Sequence, residues 1–212
     1  MNIKETKKLT LYESLGQKKI TRYDEKLIKI LKISAKIFAE EGFNKASIRQ
    51  ISKQTGISLA GLYYYFQSKE ELLFLIQFHT FDSIVKNLKD NIAKIISPEE
   101  KLRFIIKNHI LYFTENMFEL KVCSHELETL KGDYYDQVSE LRKTYFDLTM
   151  TVIDDLLKKS LRSRLDSKLA ALFLFGVLNW IYTWYVPERD RNPEKIVSQI
   201  YDLYINGIKG GI

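Results

Sequence analysis

The sequence predicts an all-α protein of about nine helices, with a three-helix head near the front and a larger helical body behind it. Three observations lead there. Pro and Gly are scarce, 3 and 9 in 212 residues, so few positions can break a long element. Apolar residues recur at i, i+3 and i+4 through most of the chain, while no strand-like alternation of useful length occurs. Helix caps, Ser or Asp in front and Gly behind, punctuate these apolar runs. With 45% hydrophobic residues, the chain can fill one or two small cores and is too apolar for disorder.

Each element follows in order. From Asp24 to Gly42, one stripe carries Leu27, Ile30, Leu31, Ser34, Ile37 and Phe38, with Asp24 as the expected N-cap. Ser47 caps a second helix holding Ile48 and Ile51, which ends at Gly56, and a short third helix follows. Ser68 opens a long fourth helix: "SKEE" reads as a capping box with Glu71 at N3, and the helix is expected to run to about Ile96. "SPEE" at 97–100 repeats the device with Pro98 at N1 and starts a helix to about Met117. Another helix is expected through "FELKVCSHELETL", then a long one from Asp133 to about Leu161. An uncharged helix runs from near Asp166 to Pro187, and "NPEKIVSQIYDLYINGIKGG" closes the chain. Residues 1–22 read as a flexible basic arm, 23–70 as the head and 71–212 as the body.

Charge separates head from body. Residues 1–70 hold 14 Lys/Arg against 7 Asp/Glu, whereas the remainder holds 19 against 20. The whole excess of the +6 chain therefore lies in the first third, which points to a polyanion partner for that part alone. Cys123 is the only cysteine, so no intrachain disulfide can form, and the first residues lack the apolar core of a secretory signal. A prokaryotic cytoplasm is the expected compartment. Leu169 to Pro187 contains no charged residue over 19 positions, approaching membrane-spanning length. Asn179, Thr183 and the Trp/Tyr residues near its end favour a helix buried between a core and a partner subunit.

The segment 47–66 carries the chemistry. A short helix, a Gly-containing turn and a second short helix describe a helix-turn-helix. Ile51, Ile57 and Leu62 supply its inner contacts, Ser52 is small enough for a close crossing, and Gly56 can take the left-handed conformation. The second helix would enter a DNA major groove, its N-terminal residues at the base edges. Three consecutive tyrosines end it. By helical spacing Tyr65 and Phe66 turn toward the first helix, while Tyr63 and Tyr64 face outward as a docking surface for the phosphate backbone. Lys69 stands on the first turn of the next helix, where backbone N–H groups also favour an anion.

The stretch "FAEEGFNKASIRQISKQTGISLAGLYYYFQSKEELL" resembles the DNA-binding segment of the TetR family of transcriptional regulators. The pattern runs from the Gly-Phe after the first helix, through the Ser cap and the Gly turn, to Leu-Tyr-x-Tyr-Phe-x-Ser-Lys-Glu, and all of it is present between Gly42 and Glu70. The resemblance implies a homodimer whose two heads bind a near-palindromic operator, and a C-terminal body that senses a ligand. Carried over residue by residue, Ser47, Tyr63 and Lys69 would meet phosphates, and Ser58, Leu59, Ala60, Gly61 and Tyr64 would face bases. The second helix has no Arg, Lys, Asn or Gln for bidentate readout. Arg49 and Gln50 on the preceding helix are then the candidate polar readers. Leu59 and Ala60 would touch thymine methyls, which predicts a T-rich half-site with a large indirect component. Lys4, Lys7, Lys8, Lys18, Lys19 and Arg22 in the arm could add backbone or minor-groove contacts.

In the body, residues 119–146 and "FGVLNWIYTWY" at 175–185 are similar to a subgroup that senses coenzyme A thioesters, with Trp180 and Trp184 in the more distinctive stretch. Such an effector needs an apolar tunnel and cations. Phe104, Tyr112, Phe113 and Tyr145 are the candidates to line the tunnel; Arg103, Lys107, Arg142 and Lys143 are those to meet the phosphates. A lipophilic drug or another small molecule is the alternative effector. Dimerisation is expected through the last two helices, burying Leu172, Phe175, Leu178 and Tyr201. An all-helical metalloenzyme is the least favoured reading: the residues three before His79, His109 and His125 are Ile76, Ile106 and Val122, so Glu-x-x-His is absent, as are zinc spacings and phosphate loops. No cofactor and no metal site are expected.

Overall fold

The computed structural model describes residues 21–159, 165–190 and 192–209. The arm lysines Lys4, Lys7, Lys8, Lys18 and Lys19 lie outside the described residues. Nine α-helices and no strand occur among the described residues: α1 (Arg22–Glu41), α2 (Ile48–Thr55), α3 (Leu59–Tyr63), α4 (Lys69–Ile92), α5 (Pro98–Glu115), α6 (Met117–His125), α7 (Asp133–Lys159), α8 (Ser167–Asn179) and α9 (Pro193–Lys209). Short 3₁₀ turns, Leu127–Thr129 and Trp180–Thr183, follow α6 and α8.

Helix starts follow capping chemistry, with one shift. The cap of α1 is Thr21, not Asp24. Thr21 has extended backbone, and Asp24 sits at N3, its carboxylate accepting from the Thr21 N–H at 2.9 Å and hydroxyl at 2.7 Å. Arg22, placed in the arm by the sequence reading, is therefore the first helical residue. Ser68 caps α4 as expected, but the Glu71 carboxylate reaches one residue further back, accepting from the Gln67 N–H at 2.6 Å. Pro98 is at N1 of α5 behind the Ser97 cap.

Three ends fall short of the sequence expectation. α4 closes at Ile92, where the Lys94 and Ile95 N–H groups bond three residues back to Asn91 and Ile92 and tighten the last turn. The run after Met117 breaks at His125 into the first 3₁₀ turn. The uncharged stretch is not one helix to Pro187. Its aromatic and β-branched residues Trp180, Tyr182 and Thr183 propagate α-helix poorly, and the Thr183 hydroxyl bonds back to the Trp180 carbonyl at 2.7 Å. Among the described residues, no helix is long and apolar enough to cross a membrane.

Packing follows the division into head and body. α1 lies against α2 and α4, and reaches the body along α6. Within the body, α4 packs on α7, α5 on α7 and α9, and α7 on α8. One continuous apolar core runs from Leu27 and Phe38 in the head through Leu72, Ile84, Ile105 and Phe113 to Val152, Leu174 and Ile208.

Candidate DNA-binding head and effector cavity

α2 and α3 are held by side chains that satisfy helix-end groups. The Ser47 hydroxyl accepts from the Gln50 N–H at 3.2 Å, and Gly56 takes φ 71°, ψ 16° to close α2. The Ser52 hydroxyl donates to the Ile57 carbonyl at 2.6 Å across the turn. From α1, the Lys29 ammonium donates to the Thr55 carbonyl at 3.1 Å, a cation on the C-terminus of α2. Ile51 and Leu62 are fully buried and Ile57 half-buried beside them. A Cβ on Gly61 would stand 2.8 Å from Ile57 Cγ2, so the bare backbone at Gly61 serves packing inside the head.

The outward face is apolar and aromatic. Leu59, Tyr63 and Tyr64 are 38%, 48% and 58% exposed, large fractions for such side chains. Ser47, Arg49, Ser58 and Ala60 are exposed on the same two helices. Tyr65 and Phe66 turn inward and are buried. Tyr23 of α1 stacks on Tyr65 with centroids 4.8 Å apart and meets Tyr64 edge-on at 5.8 Å. Burial, with the neighbouring Tyr64 and Tyr65 hydroxyls, pushes the Tyr23 phenol up to about 12, so this phenol stays neutral.

Two expected DNA contacts have other partners. The Gln50 amide donates to the Glu41 carboxylate. The Lys69 ammonium donates to the carbonyls of Phe43 at 2.9 Å, Ala46 at 3.2 Å and Asn44 at 3.4 Å, and lies 4.4 Å from the centre of the Phe43 ring. Its donors fasten the α1–α2 turn to the start of α4 rather than pointing at an open surface.

In the body, α4 to α8 surround a cavity of about 370 Å³. Its wall includes Phe81, His109, Cys123, Tyr145, Phe146 and Phe175, with Arg142 and Lys143 also lining it. His109 is buried, its Nδ1 3.2 Å from the Tyr145 hydroxyl. Its Nε2 makes no hydrogen bond of ordinary geometry, although the Leu178 carbonyl acts weakly on it. Burial lowers the His109 pKa to about 3, the Leu178 carbonyl opposing, so the imidazole is neutral. Burial also raises the Tyr145 phenol and pushes the Cys123 thiol up to about 12 despite nearby Arg142. The cavity is a neutral, aromatic space with one fixed cation. Arg142 donates from Nη1 to the Cys123 carbonyl at 2.9 Å and sits 5.0 Å from the Phe81 ring centre; Lys143, exposed, pairs with Asp147 at 2.8 Å.

Only part of the expected lining assembles here. Arg142, Lys143 and Tyr145 line the cavity. Arg103 and Lys107 do not: Arg103 stacks on Tyr201 at 5.3 Å, and Lys107 pairs with Glu194 at 2.7 Å, both toward α9. At roughly 100° per residue, Lys107 and the cavity-facing His109 lie on nearly opposite sides of α5. Phe113 is solid core, and Phe104 is half-buried outside the cavity wall. Tyr112 lines a separate pocket of about 30 Å³ with His79 and Glu119, between α1 and the body. Trp180 and Trp184 stand on the molecular surface, over a groove of about 530 Å³ shared with Ile196 and Ile200 of α9. Among the wall residues that sequence reasoning missed are Phe81, His109, Phe146 and Asn179. Asn179 was legible as an unusual polar residue in the uncharged run; His109 read as an ordinary packing residue.

α8 is apolar on both sides. Ala170, Ala171, Leu174 and Leu178 are buried in the body, while Leu169, Leu172, Phe173 and Val177 are exposed, from 48% to 66%. Leu178 and Phe175, expected at a dimer interface, belong to the core and the cavity wall, and Tyr201 lies under Arg103. Of the four, Leu172 alone is on the exposed row.

Comparison with known proteins matches two family models: "Bacterial regulatory proteins, tetR family" over residues 30–76, and "Tetracyclin repressor-like, C-terminal domain" over 96–208. The chain is similar to the fatty acid metabolism regulator protein of Bacillus subtilis, 22% identical, over 86% of this chain and 95% of that one. Its fold is similar to that of AibR in complex with isovaleryl coenzyme A and operator DNA, with TM-score 0.74 and 26% identity, covering 88% of this chain and 100% of that one. The ketosteroid regulator KstR2 of Mycobacterium tuberculosis has the same fold, with TM-score 0.78 and 20% identity, over 85% of this chain and 93% of that one.

Proposed function

The chain belongs to the TetR family, whose members are transcriptional regulators and not enzymes, and we propose that it is a repressor released from its operator by an acyl-CoA. The observation that carries the effector assignment is the cavity. It is an aromatic space with uncharged His109, Tyr145 and Cys123, at the small end of the roughly 300–1,000 Å³ range of small-molecule sites, with Arg142 and Lys143 also in its wall. It suits an acyl chain and thioester; the nucleotide part would stay outside, its phosphates near Lys143. AibR with isovaleryl coenzyme A and the fatty acid regulator of B. subtilis support the same effector class.

On DNA, Ser47 and Tyr63 would meet phosphates, as would Arg49, a base reader by sequence alone but exposed on the first turn of α2, and Ser58, Leu59, Ala60 and Tyr64 would meet bases. Lys69 acts from behind by fixing the turn that aims α2 and α3. A second copy would cover the exposed row Leu169, Leu172, Phe173 and Val177 with the Trp180–Trp184 groove, making the homodimer that a near-palindromic operator needs. A coupling of ~1–3 kcal/mol between cavity and operator would weaken DNA binding about 5–150-fold.

Calorimetric titration tests the effector assignment. Octanoyl-CoA is expected to bind, free CoA and octanoate to bind at least tenfold more weakly, and octanoyl-CoA to displace a selected operator duplex. Binding of a lipophilic cationic dye with no response to octanoyl-CoA would instead favour a drug-type effector.

A further inference from the structure

The cavity and the DNA-binding head meet at one carboxylate. α6 contributes Leu120, Cys123 and Ser124 to the cavity wall and ends at His125. Arg142, on the same wall, holds the Cys123 carbonyl at 2.9 Å and so pins the last turn of α6. The next residue is Glu126. One carboxylate oxygen, Oε1, accepts from the Phe43 N–H at 3.3 Å; the other, Oε2, accepts from the Thr129 hydroxyl at 2.8 Å. Its backbone carbonyl accepts from the Gln77 amide of α4 at 3.0 Å.

Phe43 is the other half of the joint. It lies in the turn between α1 and α2, buried against Phe38 with ring centroids 5.3 Å apart. Its N–H goes to Glu126 of the body, and its carbonyl takes the Lys69 ammonium at the start of α4. Four residues later Ser47 caps α2. One peptide segment is thus gripped from the cavity side and from the head side at once.

We infer that Glu126 is the positioning residue through which occupancy of the cavity reaches the DNA-binding head. This rests on the reading of the cavity as the effector site. An occupant that displaces Leu120 or Ser124, or that draws Arg142 to an anionic group, moves the last turn of α6. Glu126 follows, and the Phe43 N–H loses its acceptor. Because the Ser47 cap of α2 lies four residues beyond, a small movement at Phe43 re-aims α2 and α3 against α4. Neither ligand needs to touch Glu126: it is absent from the cavity lining and lies behind the exposed face of the head.

Glu126→Ala and Glu126→Gln in the full chain test this, with octanoyl-CoA and a selected operator duplex as probes. Two quantities are read: the ratio of operator affinities without and with octanoyl-CoA, and hydrogen exchange of the Phe43 amide without ligand. For Glu126→Ala the ratio is expected to fall from fivefold or more to under twofold, while octanoyl-CoA affinity for the free protein stays within threefold of wild type. The Phe43 amide should exchange at least tenfold faster than in wild type. Glu126→Gln keeps an oxygen that can accept from the Phe43 N–H, so both readouts should stay near wild type. A wild-type ratio or wild-type Phe43 exchange in Glu126→Ala overturns the inference. If octanoyl-CoA does not bind the wild-type protein, the effector assignment fails instead, and the exchange comparison, which uses no ligand, still decides the joint. Should Glu126→Ala not fold, Glu126→Asp, whose carboxylate stops one methylene short, carries both readouts with the same expectations.

Discussion

Replacing Lys69 by Met separates two roles that a lysine at this position could have. Methionine keeps an unbranched apolar stem but removes the ammonium, and with it the bonds to the Phe43, Asn44 and Ala46 carbonyls and the contact over the Phe43 ring. A hydrogen bond to a charged group contributes about 1.5–3 kcal/mol. The Asn44 bond is long at 3.4 Å, and the ammonium is partly solvated, so water replaces much of what is lost. The net expectation is a loss of ~1–3 kcal/mol, a fall in melting temperature of about 2–4 °C per kcal/mol for a chain of this size. The second readout is salt. A side chain that neutralises a DNA phosphate contributes about 0.9 to the slope of log affinity against log salt. Lys69→Met should leave that slope unchanged while lowering stability; Arg49→Ala, at an exposed position, should reduce the slope by about 1 with little change in stability. Operator titrations by fluorescence anisotropy at several salt concentrations, beside thermal melts, give both quantities. A Lys69→Met protein of wild-type stability with a slope reduced by about 1 would refute the reasoning and return Lys69 to the phosphate backbone.

The remaining predictions address turn, dimer face, pH and cavity. Gly56→Ala places a side chain at φ 71° and should cost about 1–2 kcal/mol in denaturant melts, although open space surrounds the new methyl. Phe173→Glu puts a charge on the exposed row of α8; if the proposed dimer forms through that row, light scattering should show a dimer for the wild type and a monomer for the variant, with operator affinity lost. The lowered His109 pKa means that the unfolded chain binds the extra proton. Stability should be complete above about pH 6.5 and fall as pH drops, by ~2 kcal/mol between pH 7 and 5, with His79 shifted in the same direction; His109→Leu should flatten the urea-midpoint profile over that window. Phe146→Trp adds volume to the cavity wall, and calorimetry should show octanoyl-CoA binding weakened at least tenfold with operator affinity kept.

The head was legible because its determinants are local. Ser47, Gly56 and Ser68 act on groups within four residues of themselves, and such caps are visible in any sequence. The shift of the first cap from Asp24 to Thr21 shows the limit. Both residues can cap; the one that does is the one that leaves an acidic side chain at N3 to return the bond. The false extension of α4 to Ile96 and of α8 to Pro187 has a similar origin, since apolar periodicity continues past the point where backbone bonding changes from i−4 to i−3.

The effector side was only partly legible because lining a cavity depends on which face of a helix meets which neighbour. α5 is apolar enough on several sides that its sequence does not mark the side toward α7; Arg103 and Lys107 went to α9, and His109 to the cavity. The cations show the same thing in energetic terms. Arg142, Lys29 and Lys69 each take backbone carbonyls, at the ends of α6 and α2 and in the turn between α1 and α2. A basic residue near a predicted site is read from sequence as facing a ligand. In a helical protein every helix leaves four carbonyls at its C-terminus without an intrahelical partner, and these compete for the same cations. Arg142 stands in both roles, on the cavity wall and at the end of α6. A ligand anion that draws Nη1 of Arg142 away would leave the Cys123 carbonyl in need of another donor, and under the proposed coupling that exchange is where effector binding would acquire mechanical consequence.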